Sequence, residues 1–67
     1  MNKQEIKQEL KSEYGNFICV NEVASFLRID RGTARSVLYG LPHITFGNKK
    51  MYSADDVAGR LMERMET

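Results

Sequence analysis

Between Arg28 and Gly40 the chain reads RIDRGTARSVLYG, a stretch whose polar residues are of the types that bind phosphate oxygens. Arg28, Arg31 and Arg35 supply guanidinium forks, each able to give parallel hydrogen bonds to one oxyanion. Thr33 and Ser36 add hydroxyls and Tyr39 a phenol, while Asn48-Lys49-Lys50 further along adds an amide and two ammonium groups. Nothing at comparable spacing points to catalysis. One histidine and one cysteine cannot by themselves make a zinc site, and neither lies at ligand spacing from another candidate. His43 reads as a surface residue at a strand start, Cys19 as a small buried hydrophobe, and the four methionines as core fillers. Asp55-Asp56 suits the first turn of a helix, where a carboxylate faces the positive end of the dipole. No phosphate-binding glycine loop and no nucleophile motif is present. The expectation is a non-enzyme with no cofactor and no metal.

The charge is concentrated rather than large. The whole chain carries a net +1, but residues 28–50 hold Arg28, Arg31, Arg35, Lys49 and Lys50 against Asp30 alone, a local +4. The flanks are acidic, at −1 for residues 1–27 and −2 for residues 51–67. A basic centre between acidic flanks is the pattern of a localised phosphate-binding face.

Several short elements must hold that face in place. Residues 3–14 read KQEI-KQEL-KSEY, which sets Ile6, Leu10 and Tyr14 on one helical face. The same period lines up Lys3, Lys7 and Lys11, and separately Glu5, Glu9 and Glu13, so every i,i+4 charge pair repels. Such a helix is marginal alone and needs something to pack on, with docking on its own domain favoured over a thin dimer seam. Gly15-Asn16 ends it. Phe17-Ile18-Cys19-Val20 is a short strand. Asn21 reads as the N-cap of a two-turn helix carrying Val23, Ala24, Phe26 and Leu27 inward. Asp30 caps the next helix, whose inward stripe is Ala34, Val37 and Leu38. Two short helices joined by Arg28-Ile29-Asp30 form a helix-turn-helix.

Leu41-Pro42 stops the second of these helices, and His43 to Phe46 and Lys49 to Tyr52 flank Gly47-Asn48 as a hairpin. A two-residue turn pairs Phe46 with Lys49 and Ile44 with Met51; a four-residue loop pairs Phe46 with Met51 and leaves both lysines at the tip. The pattern admits either register. Ser53 caps a last helix whose stripe is Val57, Leu61 and Met65, with Ala58 and Met62 alongside. The expected fold is therefore a small α+β domain.

Length bounds the rest. Sixty-seven residues make one domain, with 42% hydrophobic and 28% charged residues in the range of ordinary globular chains. No apolar run approaches the roughly 20 residues of a membrane span, the lysine-bearing N-terminus lacks a signal-peptide core, and a lone cysteine suits a reducing cytoplasm. Cytoplasmic placement without a membrane partner is the expectation.

In this order, VNEVASFLRIDRGTARSVL, then LPHITFGNKKMYSADDV, then a closing helix, the chain resembles the winged helix-turn-helix of the excisionase and MerR-type DNA-binding families. The run Tyr52-Ser53-Ala54-Asp55-Asp56-Val57 matches the family's "Y-S-x-x-D-V" at the right distance from Gly47. The likeness covers about residues 17–62, leaving residues 1–14 as an extra N-terminal helix of the one domain 1–67. The family often has glycine where this chain has Arg28.

The resemblance implies a winged fold in which the second helix of the pair enters the major groove of double-stranded DNA. By motif position Arg31, Thr33, Arg35 and Ser36 would reach base edges or phosphates, Arg28 would be a further DNA contact, Tyr39 would either touch phosphate or pack under the wing, and Asn48, Lys49 and Lys50 would be the wing contacts. It further implies an excisionase-like recombination directionality factor of a phage or integrative mobile element, with a site-specific integrase as partner and cooperative self-association on DNA. The alternatives are a small MerR-like transcriptional regulator and a protein-interaction module such as a phage packaging adaptor.

Overall fold

Capping sets most of the element boundaries. The computed structural model describes residues 2–65. Helix α1 spans Lys3–Tyr14 and opens with a reciprocal pair: the Glu5 amide donates to Asn2 Oδ1 at 3.0 Å, and the Asn2 amide donates to Glu5 Oε1 at 3.3 Å. It stops at Gly15, whose φ of +92° suits glycine. Strand β1 is Phe17–Cys19, and helix α2 runs Val20–Leu27. The expected N-cap moves here from Asn21 to Cys19. The Cys19 amide donates to the Glu22 carboxylate at 3.1 Å, so Val20 joins the helix rather than the strand.

Helix α3, Arg31–Leu38, starts on Asp30, whose carboxylate accepts from the Thr33 amide at 3.1 Å and from the Thr33 hydroxyl. These bonds hold the Asp30 carboxyl below the usual carboxylate range. A Cβ on Gly32 would come within 3.1 Å of that carboxylate, so glycine leaves the cap its room.

The hairpin consists of β2, Ile44–Phe46, and β3, Lys49–Ser53. His43 lies just before the strand rather than in it. Phe46 pairs with Lys49 and Ile44 with Met51, which selects the two-residue turn; Gly47, at φ +61°, occupies the position where a tight turn needs positive φ. The antiparallel sheet has the order β1-β3-β2. Helix α4, Ala54–Glu63, is capped by Ser53, whose hydroxyl accepts from the Asp56 amide at 3.0 Å. Met65, expected in the buried stripe, lies beyond the helix and is exposed, because the helix ends at Glu63.

Packing follows from these ends. Helix α1 lies chiefly on α4, and α2 on α3, with α3 also touching α4. Leu10, Ile18, Val23, Leu38 and Val57 are fully buried at the centre, and Ile18 and Tyr52 face inward from the sheet. The awkward lysine row of α1 finds its partner across this seam. Lys3 and Lys7 both reach the Asp55 carboxylate, at 3.5 and 3.4 Å, and keep it below its ordinary pKa, with the hydrogen bond from Lys7 the leading cause. The other side of the sheet is less covered: Phe17, Ile44 and Phe46 are exposed. Among the described residues no helix is long and apolar enough to cross a membrane.

Because Leu10 is completely buried between α1 and the rest of the core, Leu10→Ala should cost about 2–5 kcal/mol in denaturant unfolding. The melting temperature of the wild type should not depend on protein concentration. A concentration-dependent melt, or a loss below about 1 kcal/mol, would mean that α1 is not seated as described.

Candidate functional site

The end of α3 and the hairpin enclose one groove of about 660 Å³. Arg31 and Arg35, one turn apart, line it from α3, while Asn48, Lys49 and Lys50 line it from the hairpin. Tyr39, Leu41 and His43 come from the connection between them, and Cys19, Leu38 and Tyr52 from the core side. Four cations thus meet in one concavity, all solvent-exposed, and no aspartate or glutamate lines it. Among the described residues none of the four is in an ion pair. Water screens their mutual repulsion, and an anion entering the groove would meet several at once.

The position of α3 is secured from α4. Arg60 donates from Nη1 to the carbonyls of Val37 and Tyr39, both at 2.7 Å, while its Nε pairs with Glu63 at 3.2 Å. A helix end leaves its last carbonyls without intrahelical partners, and this guanidinium satisfies two at the C-terminal end of α3. Tyr39 follows the helix as a lip on the groove, 84% exposed.

Six of the nine residues singled out in the sequence converge here: Arg31, Arg35, Tyr39, Asn48, Lys49 and Lys50. Thr33 and Ser36 are exposed on α3 but do not line the groove. The Thr33 hydroxyl is spent on the Asp30 cap, and the Ser36 hydroxyl donates to the Gly32 carbonyl at 3.3 Å. Arg28 lies elsewhere. It lines a second groove between α1 and α2, with Glu9, Glu13, Tyr14 and Phe26. Tyr14 and Phe26 meet edge to face there, at 6.5 Å between ring centroids. Partial burial and the Glu13 carboxylate push the Tyr14 phenol above its usual pKa.

Three contributors were not legible as such. Arg60 entered the sequence reading only as a charge, and its carbonyl partners lie 23 and 21 residues away. His43, exposed as a surface residue, also lines the groove beside Tyr52, with ring centroids 5.5 Å apart. Asn21, released from capping, also lines the groove. Among the described residues no three of His, Cys, Asp and Glu come together in a group that could hold a metal ion. No family of known proteins, no characterised protein and no solved structure significantly matches this chain.

Arg28 is the one non-glycine among the described residues with positive φ, at φ +58° and ψ +45°. The left-handed conformation ends α2 and lets the Ile29 amide bond the Ala24 carbonyl at 3.0 Å, a Schellman closure. Since an L side chain there costs about 1–2 kcal/mol, part of it offset by glycine's greater unfolded-state entropy, Arg28→Gly should stabilise by about 0.5–1 kcal/mol. A shift of the urea midpoint with unchanged m-value measures it. Destabilisation would show that the Arg28 side chain contributes more beside Glu9 and Glu13 than its backbone strain costs.

Proposed function

We propose that the chain is a sequence-reading, double-stranded DNA-binding domain of the winged helix-turn-helix kind, acting by binding rather than catalysis. The observation that carries this reading is the carboxylate-free groove in which cations of α3 and of the hairpin converge. In this reading α2 and α3 are the helix pair, and β2 and β3 the wing. An α-helix with its side chains is about 10–12 Å across, which suits a major groove about 12 Å wide. Arg35, whose backbone is held between the buried Ala34 and Val37, is assigned to a guanine edge. Arg31, at the first helical position, is assigned to phosphate together with Lys49 and Lys50.

Within that class the resemblance favours an excisionase-like directionality factor, binding DNA beside a site-specific integrase, over a MerR-like regulator. A second reading, a protein-docking module, has one observation in its favour: the exposed Phe17, Ile44 and Phe46 on the sheet. Under the DNA-binding reading the same apolar residues would serve contact with the integrase or with a second copy on neighbouring DNA.

Competition binding to selected and scrambled duplexes at matched salt separates the readings. Arg35→Ala should lose about 1–3 kcal/mol on the selected duplex and much less on the scrambled one. Equal losses would reduce Arg35 to a phosphate clamp. Replacing Lys49 and Lys50 together by alanine should flatten the dependence of log K on log salt by about 2 units, at roughly 0.9 per phosphate. A wild type that binds no duplex would refute the proposal and leave the sheet surface as the site of function.

A further inference from the structure

His43 is the chain's single histidine, and two contacts orient it. Its Nδ1 lies 3.2 Å from the Leu41 carbonyl oxygen, and its ring rests against Tyr52 at 5.5 Å between centroids, tilted by 47°. A carbonyl oxygen can only accept, so Nδ1 carries the hydrogen and Nε2 is the nitrogen that gains or loses a proton. The charged and titratable groups sharing its groove are Arg31 and Arg35 of α3, Tyr39 after it, Lys49, Lys50 and Tyr52 of β3, and Cys19 of β1. None is a carboxylate. The groove therefore offers an imidazolium no counter-charge of its own, and a bound phosphate would be the first.

Resting on the DNA-binding reading, we propose that His43 is a proton-coupled phosphate contact, through which duplex binding takes up one proton on Nε2. A neutral ring presents a lone pair at Nε2, which opposes a phosphate oxygen; the protonated ring donates a hydrogen bond and adds a fifth cation to the groove. Linkage makes the coupling reciprocal. Phosphate favours the protonated ring to the extent that protonation strengthens binding, so the complex tightens as pH falls through the histidine range. Unlike the arginines and lysines, whose charge is constant across this range, His43 makes the number of phosphate contacts depend on pH.

The full-length chain and a mixed-sequence synthetic duplex suffice for the test, because a phosphate contact is indifferent to base sequence. Fluorescence anisotropy would give log K against log salt at about pH 5.5 and about pH 8, the span over which an imidazole can change its charge. The wild-type salt dependence should be steeper by about 0.9 at the lower pH, the increment for one added phosphate contact. His43→Gln should give the shallow slope at both pH values and His43→Lys the steep one at both. Since the chain has one histidine, the imidazole resonance of labelled wild type is unambiguous. Its titration midpoint should rise when duplex is added, a reading that needs no variant to fold. A midpoint that does not move in a complex seen by anisotropy would overturn the proposal. So would a pH effect that persists in His43→Gln. Absence of any complex at either pH would instead refute DNA binding itself, and this proposal with it.

Discussion

The guanidinium of Arg60 ties the groove to the core. It gives two short bonds to the carbonyls of Val37 and Tyr39, so the C-terminal end of α3 is held by α4. Helix α3 has eight residues, too few to be stable alone, and its orphan carbonyls need partners. A charged donor bridging two carbonyls also fixes the direction in which the chain leaves the helix, and hence where Tyr39, Leu41 and His43 stand. The groove is the space left between a helix anchored from behind and a hairpin paired to β1.

Charge is sorted by the same packing. The acidic first turn of α4 draws Lys3 and Lys7 of α1 onto Asp55, so the lysine row that opposes an isolated helix helps to dock this one. Lys3 and Asp55 are about half exposed and Lys7 about a quarter, so the pairs are individually weak, and their effect is to orient a seam whose energy comes from buried Ile6 and Leu10. No carboxylate lines the groove. Lys3 and Lys7 of the N-terminal helix are thus paired within the chain, whereas among the described residues the cations that line the groove from α3 and the hairpin are in no ion pair.

A domain of this size has little stability to spare, which makes the left-handed Arg28 notable. The strain is tolerated because the turn it creates is closed by the Ala24 carbonyl and by the half-buried Ile29. That turn sets the angle between α2 and α3. The residue that bends the chain lines a separate groove with Glu9 and Glu13, apart from the groove that holds Arg31 and Arg35.

Local chemistry explains what was legible in the sequence by itself. The order of elements, the caps at Asp30 and Ser53 and the inward stripe of Ala34, Val37 and Leu38 rest on interactions within one or two turns, which residue types and spacing encode directly. Arg31, Arg35, Lys49 and Lys50 were recognisable for the same reason, as cations on polar faces of short elements. What only the tertiary structure decided depends on distance through space. The hairpin register was open until strand pairing chose between two turns of similar chemistry. Capping at Cys19 rather than Asn21 turned on where β1 stops pairing with β3, and the end of α4 left Met65 exposed. Arg28, at a left-handed turn, lines a different groove from the other cations, and His43, bonded to the Leu41 carbonyl, lines theirs. Arg60 could be read only as a charge, since the carbonyls it holds become its neighbours only when α3 and α4 pack together.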